Sequence, residues 1–264
     1  KLMKLSISNL AWNKDNDTIV YDLMQKLEYQ GLEIAPTRLF KANPYDCLDE
    51  AKKYMEFLKT TYNLDIVSMQ SIWYGKKQSI FGTCEERNYL LEYTKKAIIF
   101  AENIKCPNIV FGCPKNRIIK EPEQIEIAIG FFDELGKYAL EHNTVIALEP
   151  NPQIYNTNFI NTTREAIEFC KLVCNKGIKV NFDFGSVLEN DENFHFGKSE
   201  IQLINHIHIS EPYLKVIKKR ELHKELKKIL LKNGYNGFIS IEMNSDLDLR
   251  KIKETMKYVK EVFI

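Results

Sequence analysis

Two hydrophobic rhythms alternate along the chain. Short β-type runs with apolar residues in alternation recur at positions 5–10, 32–35, 66–70, 108–112, 145–150, 179–183, 204–209 and 238–243. Between them the apolar residues move to helical spacing. Leu48, Ala51, Met55 and Leu58 make one stripe. Leu90, Thr94, Ala97, Ala101 and Ile104 make another. Ile125, Ala128, Ile129, Phe132, Leu135 and Ala139 make a third. Leu222, Leu226, Ile229 and Leu230 run up to Gly234, which suits a left-handed helix stop, and Ile252, Met256, Val259 and Phe263 close the chain. Thr162-Thr163-Arg164-Glu165 has capping-box spacing, and Glu141-His142-Asn143 fits a helix end.

Strand then helix, eight times over with short connections, predicts parallel strands joined by right-handed crossovers. Eight units in 264 residues predict one closed (β/α)8 barrel spanning residues 1–264 rather than an open doubly wound sheet. No GxGxxG follows any strand, so the dinucleotide fingerprint is missing. No linker-like or low-complexity stretch marks a domain boundary.

Composition narrows the partners. The hydrophobic share of 44% and charged share of 28% are those of a globular protein, and the net charge of +1 supplies no global field for nucleic acid or an acidic membrane. No apolar run approaches the roughly 20 residues of a membrane span. Lys1-Leu2-Met3-Lys4 lacks a signal-peptide layout, and Met3 reads as a natural start. The six cysteines form no CxxC pair and read as reduced, mostly buried thiols of a cytoplasmic protein; Cys113, at a strand end, is placed to line a pocket.

A barrel builds its active site where its strands end. The fifth run ends Ala147-Leu148-Glu149-Pro150, the sixth Asn181-Phe182-Asp183-Phe184-Gly185, the seventh His206-Ile207-His208-Ile209-Ser210-Glu211, and the eighth Ser240-Ile241-Glu242-Met243. Residues two apart share a strand face. Leu148, Phe182, Ile207 and Ile241 then face the helices, while Glu149, Asp183, His208 and Glu242 face inward near the rim. Three carboxylates gathered in a partly desolvated mouth would repel one another, and a divalent cation removes the conflict. Oxygen-rich ligands with one imidazole suit Mn2+ best, with Mg2+, Co2+ or Zn2+ as alternatives. His206, one layer deeper, reads as a buried, hydrogen-bonded histidine.

These strand endings, with Gly31-Leu32-Glu33-Ile34 on the second strand and Lys232-Asn233-Gly234-Tyr235-Asn236-Gly237 before the eighth, resemble the xylose isomerase-like TIM barrels. That superfamily holds sugar isomerases and epimerases, hydroxypyruvate isomerase, inosose and dehydroshikimate dehydratases, and endonuclease IV. The resemblance implies a metal site at Glu149, Asp183, His208 and Glu242, with Glu149 and Glu242 doubling as acid and base. It also implies a sugar or sugar-phosphate isomerase or epimerase working through an enediolate, and a homo-oligomer. Some positions depart from the pattern. Ser186 stands where many members have histidine. Leu214 and Tyr155 replace an arginine and a glutamate of the ketohexose 3-epimerases, whereas Glu211 matches them. The expected metal core is retained and the expected substrate grip differs.

For the pocket wall, Gln70 and Trp73 on the third βα loop, with Tyr74 and Phe81, are expected to stack on a sugar face or exclude water, and Trp12 likewise. Asn9 and Glu33 are expected to hydrogen-bond substrate hydroxyls. Lys115 and Arg117, and Lys215, Lys218, Lys219 and Arg220, are basic loop residues placed to hold a phosphate or carboxylate, and Lys115, Glu211 and Lys215 join the expected substrate contacts. Three other readings compete. A dehydratase would use the same metal and base. An endonuclease IV-like enzyme needs more strand-end histidines than the five of this chain supply. A non-catalytic sugar-binding barrel has no need of an acid–base pair.

Overall fold

A computed structural model describes residues 3–41, 43–244 and 248–264; Lys1 and Leu2, of the opening segment discussed above, lie outside the described residues. Eight parallel strands close a barrel in sequence order: β1 (Lys4–Ser8), β2 (Gly31–Ile34), β3 (Asp65–Met69), β4 (Ile109–Phe111), β5 (Ile146–Leu148), β6 (Ile178–Asp183), β7 (Ile204–Ile209) and β8 (Phe238–Ile241). Closure comes from β1 against β8, with Leu5 opposite Ile239 and Ile7 opposite Ile241. Every expected strand is present, most of them trimmed by a residue or two at the ends.

The helices are α1 (Asp17–Lys26), α2 (Pro36–Leu39), α3 (Leu48–Tyr62), α4 (Cys84–Asn103), α5 (Ile125–Glu141), α6 (Thr163–Val173), α7 (Phe184–Asn190), α8 (Lys198–Ile201), α9 (Glu221–Lys232) and α10 (Leu249–Phe263). Thr162 and Glu165 cap α6 reciprocally, as their spacing predicts, and Thr83 with Glu86 does the same for α4. Gly234 adopts φ +77°, the left-handed conformation that ends α9 without steric penalty. No described helix is long and apolar enough to cross a membrane.

Strand periodicity divides the core into two environments. Leu148, Phe182, Ile207 and Ile241 are fully buried in the apolar layer between sheet and helices. The barrel interior is instead polar: Ser6, Ser8, Glu33, Ser68, Asn108, Asn181, His206, His208 and Ser240 are all buried. Such an interior is stable only if its groups largely bond one another; several do, while Ser6 Oγ, Ser240 Oγ and Asn181 Oδ1 have no hydrogen-bond partner among the described residues. The Gln70 amide donates to Ser8 Oγ at 2.6 Å and to Glu33 Oε1 at 3.2 Å, and Asn108 donates to Ser68 at 3.0 Å. This polar column leads directly up to the strand-end rim.

The cysteine expectation needs correction in part. All six are unpaired, but only Cys106 and Cys170 are buried; Cys84 and Cys174 are exposed on helix ends. Their helices turn those positions outward, which spacing to neighbouring apolar residues did not show.

Candidate metal and acid–base centre

Four strand ends bring the predicted cluster together. The end of β6 carries Asp183, β7 carries His208, and the residues just past β5 and β8 carry Glu149 and Glu242. Ligand atoms from all four lie within 4.8 Å of one another. His208 Nδ1 is 2.9 Å from Glu149 Oε1 and 3.3 Å from Glu242 Oε2. Gly112, at the end of β4, permits the approach of Glu149, since a Cβ there would come within 2.8 Å of Glu149 Oε2.

His208 is held from behind. Its Nε2 lies 3.0 Å from Glu33, and His206 Nε2 lies 3.1 Å from the same carboxylate. With the Nε2 proton directed at Glu33, Nδ1 is left as the ligand atom facing the carboxylates. This is the carboxylate–histidine arrangement that orients metal-binding imidazoles. Glu33, His206 and His208 also form a group of metal-ligand type, but Glu33 and the His208 face in contact with it are enclosed within the barrel. Glu33 and His208 already pair directly, and His206 Nε2 lies close to the same carboxylate without a well-aligned hydrogen bond.

The electrostatics show what the rim lacks. Burial pushes the Glu242 carboxyl up to about 7, reinforced by Glu149 and Asp183 and opposed by His208. Burial, then Glu149, likewise raises Asp183, although the Ser210 and Ser186 hydroxyls donate to it. Burial disfavours a charged His208, yet Glu33 and then Glu242 and Glu149 hold its pKa well above the ordinary value. Burial would raise Glu33, but His208 and His206 overrule it and keep the carboxyl far below the usual range. A divalent cation among Glu149, Asp183, His208 Nδ1 and Glu242 would relieve the crowding of like charge, and the donor set fits one.

These shifts fix a pH dependence. The carboxyl of Glu242 has a raised folded-state pKa, so its protonation stabilises the metal-free protein at low pH, and that contribution is lost as pH rises through about 7. His208, also raised, acts in the same sense. Metal binding needs both groups deprotonated. The rise in thermal midpoint on adding Mn2+ should therefore be larger at pH 8 than at pH 6. An equal rise at both would remove Glu242 from the ligand set.

A cavity of about 200 Å³ opens over the cluster. Its wall includes Glu149, Asp183 and Glu242, with Gln70 and Glu211 among the predicted contacts, and Leu10, Val110, Cys113, Pro114, Tyr155 and Leu214 on the less polar side. Other predicted contacts lie elsewhere. Asn9 is fully buried and accepts from the Ala35 amide at 2.9 Å, joining β2's end to the first loop. Trp12 is buried and donates to Asp17 at 2.7 Å. Trp73 packs edge-on to Phe111, 4.8 Å between centroids, and donates to Thr94, and Phe81 meets Phe159 in the same way, so these two rings pack, whereas Tyr74 is exposed and outside the cavity wall. Glu33 sits beneath the cluster. Lys115 and Lys215 are exposed and outside the cavity wall.

Arg117 is the clearest correction among the basic loop residues. Its side chain is fully buried rather than presented to an anion. Nη2 donates to Asn151 Oδ1 at 2.7 Å and to the Glu149 carbonyl at 2.8 Å. Burial pulls its pKa down to about 10. It braces the loop behind Glu149, so Arg117→Ala should reduce unfolding free energy by about 3–5 kcal/mol, measured in urea, through orphaned acceptors and a void. A loss within ~0.5 kcal/mol, the range of an ordinary surface change, would contradict that role.

Residues 21–262 match the model of the family described as xylose isomerase-like TIM barrel. The chain belongs to this family. No curated protein sequence matches it. Among solved structures, this xylose isomerase-like barrel is similar to 3-keto-D-glucoside 4-epimerase from E. coli, at 17% identity and TM-score 0.73, covering 98% of this chain and 99% of that one. It is similar to D-psicose 3-epimerase from Clostridium cellulolyticum H10, at 15% identity and TM-score 0.75, covering 99% of both. It is also similar to an AP endonuclease, family 2, from Brucella melitensis, at 17% identity and TM-score 0.71, covering 92% and 94%. At these identities the likeness establishes the fold alone.

The sequence reading of this barrel missed the supports. Asn181 Nδ2 donates to Glu149 Oε1 at 2.7 Å and lies 3.1 Å from His208 Nδ1; Asn151 donates to Glu149 Oε2 at 3.2 Å. Ser186 donates to Asp183 Oδ2 at 2.7 Å. Asn181 stands two residues before Asp183, and the same period-two argument that selected Asp183 would have found it. Ser210, a further donor to Asp183, follows His208 by the same interval.

Proposed function

We propose that this protein is a metal-dependent sugar isomerase or epimerase that moves a proton at the carbon beside a carbonyl. The observation that carries the reading is the placement of Glu149 and Glu242 around one imidazole nitrogen, at 2.9 and 3.3 Å, on the floor of a cavity. A divalent ion held by Glu149, Asp183, His208 and Glu242, with Mn2+ best suited to the donors, would supply Lewis-acid polarisation of the carbonyl and stabilise negative charge on its oxygen.

The chain's own residues do the rest. One carboxylate removes the proton and the other returns it. Asn181 and Asn151 fix both oxygens of Glu149. Leu10, Val110 and Leu214 offer an apolar wall to the C–H face of a sugar and limit water at the reacting carbon. The names of the similar structures, two of them sugar epimerases, support the same reading. Six unpaired cysteines support a reducing, cytoplasmic setting.

The test is solvent-deuterium exchange into a panel of ketoses and polyol ketones, followed by NMR with Mn2+ and with chelator. Metal-dependent exchange beside the carbonyl is expected. Absence of exchange across the panel, with metal shown to be bound, would overturn the reading and favour a binding role or a dehydratase.

A further inference from the structure

We infer that the ligand of this cavity is an uncharged polyhydroxy carbonyl compound, and that phosphate esters and carboxylates are rejected. The inference rests on the cavity already proposed as the reaction site and names its substrate class.

Among the described residues, the charged side chains of the wall are Glu149, Asp183, Glu211 and Glu242, and no lysine or arginine joins them. A divalent cation would neutralise two of the three ligand carboxylates and leave a net negative floor. Arg220 reaches this wall but is committed: its Nε and Nη2 donate to the two oxygens of Glu211 at 2.9 and 2.6 Å. Arg117 lies buried behind Glu149. Lys115 and Lys215 are exposed and are not part of the wall.

Among the described residues, the amides at the start of α7 and those of Tyr213, Leu214 and Lys218 after β7 offer no substitute. Barrels commonly hold phosphate at the loops after the last strands and at a helix N-terminus there. Here the first turn of α7 is already occupied: Gly185 N donates to Ser210 Oγ at 2.8 Å and Ser186 N to Asp183 Oδ2 at 2.7 Å. In the loop after β7, Tyr213 N donates to the Tyr155 hydroxyl, Leu214 N to the Glu211 carbonyl, and Lys218 N to Glu211 Oε1. A dianion entering this cavity would exchange its water for four wall carboxylates, and among the described residues no lysine or arginine of the wall is there to receive it, so the divalent ion would be its one cationic partner. A neutral sugar meets a different balance. Its hydroxyls find acceptors on Glu149, Asp183 and Glu242 and a polar side chain at Gln70, while Leu10, Val110, Pro114 and Leu214 cover its C–H face.

The experiment compares binding and exchange on the Mn2+-loaded protein for ketopentoses and ketohexoses, their 1-phosphate and terminal-phosphate esters, hydroxypyruvate and inorganic phosphate. Binding is followed by calorimetry and exchange by NMR. The free sugar that binds best should exceed its own phosphate esters by about 100-fold or more in affinity, and inorganic phosphate should not displace it. Leu214→Arg, which puts a cation on the wall, should narrow that gap at least tenfold. Phosphate esters or hydroxypyruvate binding as well as neutral sugars would overturn the inference, and so would failure of every neutral sugar to bind. Neutral sugars that bind without exchanging would uphold it and overturn the isomerase reading instead, which keeps the two conclusions separable.

Discussion

Glu242→Gln should lower metal-dependent proton exchange by about 10²–10⁴-fold, the usual worth of a positioned acid or base, and Glu149→Gln should do the same. The amide keeps the shape and a ligating oxygen but cannot take a proton. Because both residues are also candidate metal ligands, each variant must be assayed at saturating Mn2+ with bound metal measured. Asp183→Asn supplies the control: it weakens the metal site without removing a proposed proton carrier, so excess metal should restore it and should not restore the two glutamine variants. The pair also separates two reactions. In an epimerase the carboxylates face opposite sides of one carbon. Each variant should then block proton removal from one epimer and leave slower wash-out from the other. In an aldose–ketose isomerase one carboxylate suffices, and one variant should retain most of its exchange. Full turnover by both variants on an identified substrate would end the assignment.

What the sequence made legible and what it did not follow one physical division. Alternation within strands and 3.6-residue spacing within helices are local signals, and they located all eight strands and the inward phase of Glu149, Asp183, His208 and Glu242. One signal served both purposes, because the phase that buries Leu148, Phe182, Ile207 and Ile241 under the helices turns the intervening ligands inward. Side chains on the βα loops carry no such period. Trp12, Trp73 and Arg117 were placed near the site by their position after strands, and Asn9 lay within the expected first strand; in the structure each turns into packing or a buried hydrogen bond. The direction of a loop side chain is set by partners distant in sequence, such as Thr94 for Trp73 and Asn151 for Arg117. Glu33 illustrates a third case. Its inward phase was correct, but Glu33 is fully enclosed against His206 and His208 instead of opening to the cavity, and depth in a barrel is not set by period.

That depth gives Glu33 its expected effect. It is fully buried, accepts from Gln70 Nε2 at 3.2 Å and faces both His206 and His208. Its negative charge favours the His208 tautomer protonated on Nε2 and makes Nδ1 a stronger donor toward a metal. Replacing it should weaken metal binding without touching a ligand. Glu33→Gln retains an acceptor but loses the charge, and Mn2+ affinity measured against a competing chelator should fall about tenfold; Glu33→Leu removes the acceptor too, and the fall should approach 100-fold. The acid response should change as well. The folded-state pKa of Glu33 is depressed, so its ionisation stabilises the protein above the unfolded carboxylate pKa, and that contribution is lost as pH falls below it. Between pH 5 and pH 3 the glutamine variant should therefore lose less stability than the parent chain. Unchanged Mn2+ affinity in Glu33→Leu, with the fold intact by circular dichroism, would show that His208 needs no support from behind, and Glu33 would be a polar core residue only.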